Sequence, residues 1–328
     1  MENFKAFRVF EENSEFNRKI VERSINDLPE GDVTIQVVYS SINYKDALSS
    51  IGNRGVTRKY PHTPGIDAAG LVLDSNIEKF SKGDEVFITG YDLGMNTDGG
   101  FGQLIRVPGE WIIKKPQGLT LKESMIYGTA GFTAALSVYR LAQEVSPDEG
   151  KVLVTGGTGS VANIAMKILV KLGYDVIVAT GKVEKEKESL MKLGVEDVIH
   201  RKEIEEETSR PMVKSRWSGV IDTVGGSVLT SVIKAIQYGG AVTTCGNVGG
   251  ASFESSVYPF ILRGITLFGI DSVQCPMDLR LVIWDKLQGE WKPETLDEMV
   301  QEVELEKLEN VLDKMIEGKK TGRYVVKL

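Results

Sequence analysis

Residues 151–162 read KVLVTGGTGSVA, and this stretch decides the fold of the middle of the chain. A short apolar strand runs into a turn in which Gly157, Gly159 and Ala162 satisfy G-x-G-x-x-G/A, and a helix is predicted over Asn163 to Leu172. The glycines allow a tight turn and close approach to a pyrophosphate, whose charge the helix N-terminus attracts. Such turns also occur for packing alone, but the context favours a dinucleotide site. Its predicted cofactor-binding residues are Gly157, Thr158, Gly159, Ser160, Val161 and Ala162.

The sequence around this turn alternates short apolar strands with amphipathic segments, which is typical of βαβ units and a parallel sheet. Six strands are predicted, the number expected of a complete doubly wound sheet. They are Lys151 to Thr155, Asp175 to Thr180, Asp197 to His200, Gly219 to Val224, Ala241 to Cys245 and Thr266 to Ile270.

The first third of the chain reads instead as short strands separated by Gly, Pro and Asp turns, which predicts a β-rich antiparallel domain. Beyond the predicted sheet, the alternation stops, and the C-terminus is expected to return to the first domain. We therefore predict a domain over 1–120, a dinucleotide-binding domain over 121–271, and a return over 272–328. The remaining predicted elements are strands at Val33 to Ser41, Gly70 to Leu73, Glu85 to Thr89, Phe101 to Val107 and Tyr324 to Lys327, and helices at Leu121 to Leu141, Leu279 to Leu287 and Glu306 to Glu317.

The end of the second predicted strand indicates which dinucleotide is bound. An NAD enzyme places an acidic residue about 20 residues beyond the glycine turn, to bind the ribose 2′-hydroxyl. Here that position holds Thr180, Gly181 and Lys182, a hydroxyl, a flexible amide and a cation that suit a 2′-phosphate. NADPH is therefore preferred to NADH in this interpretation. Two alternatives remain: Lys182 is an ordinary solvated lysine, or Glu184 takes the acidic role.

The composition narrows the class of protein. The 328 residues are 41% hydrophobic and 26% charged, as in a globular protein, and the net charge of -7 opposes nucleic-acid binding. The N-terminal sequence has no continuous apolar stretch typical of a secretory signal, and no apolar run reaches the length of a membrane span. With only Cys245 and Cys275, a disulfide framework is not expected. We expect a cytoplasmic protein.

Metal-dependent and hydrolytic chemistry have little support in the sequence. The only histidines are His62 and His200, and no metal-ligand spacing is present, so we expect no metal site. Without a metal Lewis acid, reduction of a polarised C=C bond needs mainly hydride geometry and stabilisation of an enolate. No G-x-S-x-G turn supports a hydrolase.

Six segments of the chain carry a resemblance to a known family: 41–48 (SINYKDAL), 64–70 (PGIDAAG), 128–135 (GTAGFTAA), the glycine turn, 221–226 (IDTVGG) and 269–273 (GIDSV). Together they resemble the zinc-free quinone oxidoreductase group of the medium-chain dehydrogenase/reductase superfamily, and especially its bacterial acryloyl-CoA reductase branch. Zinc-containing relatives carry Gly-His-Glu where this chain has Gly65-Ile66-Asp67.

The resemblance implies a Rossmann doubly wound parallel sheet inserted into a GroES-like β-rich catalytic domain, with the cofactor in the cleft. It places Tyr44 at the nicotinamide and substrate end, as the candidate proton donor. Asp46 either orients its neighbours or caps a helix starting near Ala47. The implied catalytic residues are Tyr44, Asn43 and Asp46. The implied cofactor-binding residues outside the glycine turn are Tyr44, Thr129, Thr133, Thr180, Gly181, Lys182, Arg201, Cys245, Gly246, Asn247, Asp271, Ser272 and Arg323.

The expected reaction is NADPH-dependent reduction of a small enoyl thioester, acryloyl-CoA to propionyl-CoA. Quinone reduction is the alternative, and a non-enzymatic NADPH-binding or RNA-binding protein is a distant one. Lys45 and Arg263 are possible contacts for coenzyme A phosphates. Water is the alternative proton source to Tyr44. The resemblance and an edge strand near Thr266 to Ile270 also suggest a homodimer joined through its Rossmann domains.

Overall fold

The computed structural model describes residues 3–205, 210–294, 296–319 and 322–328. The chain divides into two compact units. Unit 1 contains Met1–Thr129, Val273–Gln288 and Glu294–Leu328, and unit 2 contains Ala130–Ser272 and Gly289–Pro293. Each unit has its own sheet and its own hydrophobic core. The middle of the chain thus forms a unit inserted into one built from both ends.

Unit 1 is β-rich, as its turn-rich sequence predicts. Its strands are β1 (Asn3–Glu12), β2 (Glu15–Ser24), β3 (Val33–Ser41), β4 (Asp67–Ser75), β5 (Glu85–Thr89), β6 (Leu104–Val107), β7 (Ile113–Lys114), β14 (Val300–Glu304) and β15 (Arg323–Lys327). The main sheet runs in the order β14-β15-β3-β4-β5-β7, and β6 pairs with β3. Apart from the parallel pair β14 and β15, the strand pairs of this sheet are antiparallel.

Unit 2 contains a six-stranded sheet in which every neighbouring pair is parallel. Its strands are β8 (Val152–Thr155), β9 (Val176–Thr180), β10 (Asp197–His200), β11 (Trp217–Asp222), β12 (Ile236–Thr244) and β13 (Thr266–Gly269). The strand order, β10-β9-β8-β11-β12-β13, is that of a doubly wound dinucleotide-binding fold, with the order reversing between β8 and β11. Ligands in such sheets bind beyond the carboxyl ends of the strands at this reversal.

Helix α2 (Leu121–Leu141) passes from unit 1 into unit 2 and is interrupted at Gly128, whose φ of 51° and ψ of -156° are not helical. A residue with a side chain rarely adopts such a conformation, so glycine is suited to this kink. No described helix combines the length and apolar character needed to cross a membrane. The helices are α1 (Tyr44–Ser50), α2 (Leu121–Leu141), α3 (Ser160–Lys171), α4 (Val183–Met191), α5 (Gly226–Lys234), α6 (Tyr258–Arg263), α7 (Met277–Gln288) and α8 (Leu308–Ile316).

The six strands predicted for unit 2 are all present, with ends displaced by up to five residues. The largest difference is at β12, which begins at Ile236 and not at the predicted Ala241. Ile236 pairs with Trp217, the first residue of β11, and the register shifts before Ala241 pairs with Gly219. In unit 1 the hairpin of β1 and β2 is an element that the sequence analysis does not predict. Phe4, Ala6 and Val9 of β1 are buried, but the alternation is broken because the neighbours Ala6 and Phe7 are both buried.

Candidate active site

The glycine turn lies between β8 and α3 in unit 2, at the point where the sheet order reverses. Gly156 has a φ of +68°, and a Cβ on Gly157 would come 2.3 Å from Val178 Cγ1. The turn can therefore lie against β9 only without a side chain at Gly157. Gly159 is the N-cap of α3, and Ala162 is a fully buried residue in the first turn of this helix. The N-terminus of α3 follows this turn directly, and a helix N-terminus attracts an anion such as a pyrophosphate.

A cavity of about 340 Å³ adjoins this turn. Thr158, Thr180, Gly181, Lys182 and Arg201 all line it, so the structure brings these predicted residues together. None of the described lining residues is acidic, and Glu184 is not among them. The cavity therefore offers hydroxyls and cations to a phosphate group and no carboxylate that would repel one.

Asp222 organises the carboxyl ends of three neighbouring strands. Its buried carboxylate accepts hydrogen bonds from Thr155 Oγ1 at 2.8 Å and from Thr244 Oγ1 at 3.1 Å, and from the amide of Gly225 at 2.9 Å. These donors lie on β8, on β12 and after β11. Sequence analysis included Asp222 only within a resembling segment and assigned it no role. Buried carboxylates with several donors are typical of residues that fix a site's geometry.

The turn after β12 contains the predicted residues Cys245, Gly246 and Asn247. Burial, followed by the charge of Asp222, raises the pKa of the Cys245 thiol to about 12. The thiolate is the nucleophilic form, so this cysteine is unsuited to nucleophilic catalysis. A Cβ on Gly246 would come 1.9 Å from the carbonyl oxygen of Thr223, which explains the glycine.

Thr133 and Ser272 are also brought together in unit 2. Thr133 Oγ1 donates a hydrogen bond to Ser272 Oγ over 2.8 Å, and both residues are buried. Asp271, which precedes Ser272 after β13, is exposed. The pair places two hydroxyls beyond the carboxyl end of β13, the side of the sheet on which ligands bind in this fold.

In unit 1 the start of α1 carries the three predicted catalytic residues. Asn43 is the N-cap, Tyr44 is 52% exposed, and Asp46 is fully buried. Asp46 accepts hydrogen bonds from the amide of Asn43 at 2.7 Å and from the amide of Ile66 at 2.9 Å. The predicted helix start near Ala47 is therefore wrong by three residues, because Asp46 completes the cap from the third helical position. Burial raises the pKa of Asp46 to about 7.

Sequence analysis did not identify Asp67 as a site residue, although it contacts the start of α1. Its fully buried carboxylate accepts from Asn43 Nδ2 at 2.8 Å, from the amide of Thr129 at 2.9 Å and from Thr129 Oγ1 at 2.5 Å. Ser41 Oγ donates to the same carboxylate. A signal was present in the sequence, since Asp67 stands where zinc-containing relatives carry the Glu of Gly-His-Glu. Asp67 therefore connects two predicted site residues, Asn43 and Thr129.

Arg323 was expected to contact the cofactor, but the structure directs its donors inward. The guanidinium is 3% exposed and donates to Asn43 Oδ1 and to backbone carbonyl oxygens. These carbonyls belong to Ile42, Met125, Ile126 and Tyr127. Arg323 thus holds the segment before the Gly128 kink, and its cofactor contact stays a prediction.

The two basic residues considered for coenzyme A phosphates differ in their surroundings. Arg263 donates to the carbonyl oxygens of Lys234, Ile236 and Val213, at 2.9, 2.7 and 2.5 Å. Its guanidinium thus serves to hold α6 against the sheet. Lys45 is partly buried on α1. Of the two, Lys45 is better suited to reach a ligand phosphate.

Within the described ranges, no group of three or more His, Cys, Asp or Glu side chains could hold a metal ion. His62 lies in unit 1 and His200 lies in unit 2. Burial lowers the pKa of His62, which therefore favours its neutral form.

Comparisons with known proteins agree with this architecture. Residues 29–117 match the family model described as alcohol dehydrogenase GroES-like domain, and residues 160–287 match that described as zinc-binding dehydrogenase. YhfP of Bacillus subtilis, named as a candidate quinone oxidoreductase, is 45% identical over 327 residues, 99% of each chain. The acrylyl-CoA reductase AcuI of Ruegeria pomeroyi is 39% identical over 317 residues, 96% of each chain.

Two solved structures have the same fold as this chain. The crystal structure of Bacillus subtilis yhfP with NAD bound covers 100% of both chains with a TM-score of 0.97. The yhdH oxidoreductase from Salmonella enterica in complex with NADP is 38% identical, covers 99% of both chains and gives a TM-score of 0.95. Together the fold and these matches define a medium-chain dehydrogenase/reductase. The chain belongs to the zinc-free branch of that superfamily which includes quinone oxidoreductases and acrylyl-CoA reductases. Unit 2 is its Rossmann domain, and unit 1 is its GroES-like domain.

Proposed function

We propose that this chain is an NADPH-dependent reductase of the activated C=C bond of a small enoyl thioester, converting acryloyl-CoA to propionyl-CoA. The observation that carries the proposal is the cavity beside the glycine turn, with its hydroxyls and cations and no described acidic lining residue. The choice of acceptor is supported by the similarity to AcuI, named as an acrylyl-CoA reductase. We further propose a homodimer that acts in the cytoplasm.

The residues of unit 2 fit NADPH. The turn at Gly157 lies against β9 because the residue has no side chain between the backbone and that strand. We propose that a pyrophosphate binds at the start of α3, which follows this turn. Lys182 and Arg201 provide charge for the 2′-phosphate, and the Thr180 hydroxyl is part of the same cavity wall. The turn at Gly246 and the hydroxyls of Thr133 and Ser272 are proposed to contact the rest of the cofactor.

The residues of unit 1 are proposed to act on the acceptor. When bound, NADPH would supply the hydride that reduces the β-carbon of the thioester. The exposed Tyr44 hydroxyl donates a hydrogen bond to the carbonyl oxygen, where negative charge develops. A proton then reaches the α-carbon, from Tyr44 or from water. Asn43 and Thr129 keep fixed positions because both donate to Asp67.

Quinone reduction is the second candidate, and one observation favours it. YhfP, with 45% identity over 99% of the chain, carries a quinone oxidoreductase name. The same hydride donor would serve either acceptor. A role in RNA binding without catalysis is disfavoured by the net charge of -7.

The decisive experiment is a steady-state screen with NADPH and NADH. Acryloyl-CoA, longer enoyl-CoA esters and a set of quinones serve as acceptors. A kcat/KM for acryloyl-CoA at least about 10-fold above that for every quinone would support the thioester assignment, since this ratio corresponds to about 1.4 kcal/mol in transition-state binding. The reverse order would assign quinone reduction. Oxidation of neither NADPH nor NADH by any acceptor would overturn the enzymatic proposal.

A further inference from the structure

We propose that Asp67 is a positioning residue for hydride transfer, acting through Thr129 and Asn43. The inference rests on the proposed function, because it concerns the same reductase site. Asp67 does not need to touch cofactor or acceptor in this role, since its carboxylate is fully buried. It acts by holding in place the groups that do.

The first argument is convergence. The Asp67 carboxylate accepts hydrogen bonds from three residues on two segments: Ser41 at the end of β3 and Asn43 at the N-cap of α1, and Thr129 at the kink of α2. Both segments carry predicted site residues, and Asn43 directly precedes Tyr44. A single anionic acceptor therefore determines how the start of α1 and the kink of α2 lie relative to each other within unit 1.

The second argument separates this role from simple neutralisation of the buried Arg323. The nearest guanidinium nitrogen lies 3.9 Å from Asp67 Oδ2, whereas Thr129 Oγ1 lies 2.5 Å from Oδ1 and Asn43 Nδ2 lies 2.8 Å from Oδ2. The Arg323 guanidinium donates its hydrogen bonds to other acceptors, including Asn43 Oδ1. The hydrogen bonds that the carboxylate accepts from Ser41, Thr129 and Asn43 are therefore all shorter than its contact with Arg323.

The third argument is the close packing of the kink on this carboxylate. A Cβ on Gly128 would come 2.4 Å from Arg323 Nη2 and 2.5 Å from both Asp67 Oδ2 and Ser41 Oγ. The backbone before Thr129 thus lies directly on the cluster, which leaves Thr129 little freedom to shift while its hydrogen bonds to Asp67 are present. Loss of these hydrogen bonds is expected to release Thr129.

The test is a double-mutant cycle with Asp67→Asn and Thr129→Val, measuring kcat, KM and the NADPH dissociation constant. Asp67→Asn is expected to lower kcat on the order of 10-fold to 100-fold, as for a small misplacement of reacting groups. The NADPH dissociation constant should change less than about 3-fold, because the glycine turn and the 2′-phosphate residues lie in unit 2. The double variant should be about as slow as Asp67→Asn alone, since Asp67 acts through Thr129.

Thr34→Val is the matched control. Thr34 is a buried threonine of unit 1 whose hydroxyl accepts a hydrogen bond from Arg106 Nε at 3.1 Å, without a bond to Asp67. In the double variant of Thr34→Val and Asp67→Asn, the fold-reduction in kcat should equal the product of the two single reductions, because the two sites do not interact. Ser41→Ala provides a milder change should Asp67→Asn fail to fold. It removes one donor to Asp67 and should lower kcat with the NADPH dissociation constant preserved.

The cycle is run with whichever acceptor the unmutated protein reduces, so it does not depend on the choice between thioester and quinone. The positioning role would be overturned if the fold-reduction in kcat of the double variant equalled the product of the reductions in Asp67→Asn and Thr129→Val. An unchanged kcat in folded Asp67→Asn, or in Ser41→Ala, would overturn it as well. These outcomes leave an active unmutated enzyme, whereas an unmutated protein inactive with all acceptors would overturn both proposals.

Discussion

The backbone amide of Lys182 donates a hydrogen bond to Thr180 Oγ1 over 3.1 Å. This bond closes the turn after β9 and involves the backbone of Lys182, not its ammonium group. On the other side of the turn, a Cβ on Gly181 would come 3.5 Å from Arg201 Nε. The arrangement places two cations at the rim of one cavity, although they are 19 positions apart in the sequence (201 − 182).

We expect NADPH to be preferred to NADH, and Lys182→Ala to narrow the preference. A charge-assisted contact to phosphate contributes about 1.5 to 3 kcal/mol, or on the order of 10-fold to 100-fold in affinity. Dissociation constants for both cofactors would be compared in the unmutated protein and the variant. Lys185→Ala is the control, because Lys185 does not line the cavity. Equal binding of both cofactors by the unmutated protein would contradict the prediction, a relevant outcome since yhfP was crystallised with NAD.

The buried Asp46 predicts a specific dependence of stability on pH. Burial raises its pKa from 3.8 to about 7, so between these values the folded protein keeps a proton that the unfolded chain has lost. The contribution of Asp46 to the free energy of unfolding should therefore fall as pH rises from about 4 to about 7, by at most about 1.4 kcal/mol per pH unit. Chemical denaturation at several pH values would measure it. Asp46→Asn should lack this component, and an identical pH profile in the variant would refute the assignment.

Activity should survive exhaustive chelation, and the purified protein should contain no stoichiometric zinc. The reason is that His62 and His200 have no companion ligands in the sequence. Elemental analysis before and after chelation, together with turnover, would measure this. Tightly bound zinc whose removal abolishes turnover would show the prediction to be wrong.

The homodimer prediction concerns β13, which lies at the edge of the unit 2 sheet. Exposed Ile261 and Leu262 on α6 belong to the same unit, and an unpaired edge beside apolar side chains favours association. Sedimentation should give a dimer at micromolar concentration, and Ile261→Glu should shift it towards monomer. Val282→Glu, at a similarly exposed residue of unit 1, should not. A monomer in the unmutated protein would exclude the interface.

The sequence was most informative where one short pattern determines both geometry and chemistry. The glycine turn and the Thr180 to Lys182 segment were found because glycine and phosphate-binding residues follow known spacings after a strand. The β1 and β2 hairpin was missed because it has buried residues at irregular intervals, so alternation gave no clear signal.

Long-range partners could not be predicted from sequence. Asp67 and Thr129 are 62 positions apart, and Arg323 lies a further 194 positions beyond Thr129 (323 − 129). No local pattern indicates that their side chains meet, since the packing of three strands and a kinked helix determines it. For the same reason the sequence marked Arg323 as basic but could not show that its donors point inward to backbone carbonyls.

The last prediction concerns Tyr44 and the polarity of addition. Tyr44→Phe should lower kcat while leaving the NADPH dissociation constant nearly unchanged, because the aromatic ring remains and only the hydroxyl is lost. Help from a general acid is typically worth about 100-fold to 10,000-fold, and loss of one hydrogen-bond donor lies near the lower end. With deuterated NADPH, the label should appear at the β-carbon of propionyl-CoA. Deuterium at the α-carbon would reverse the proposed polarity. An unchanged kcat, with an isotope effect showing that hydride transfer limits the rate, would assign proton delivery to water and leave Tyr44 a packing role.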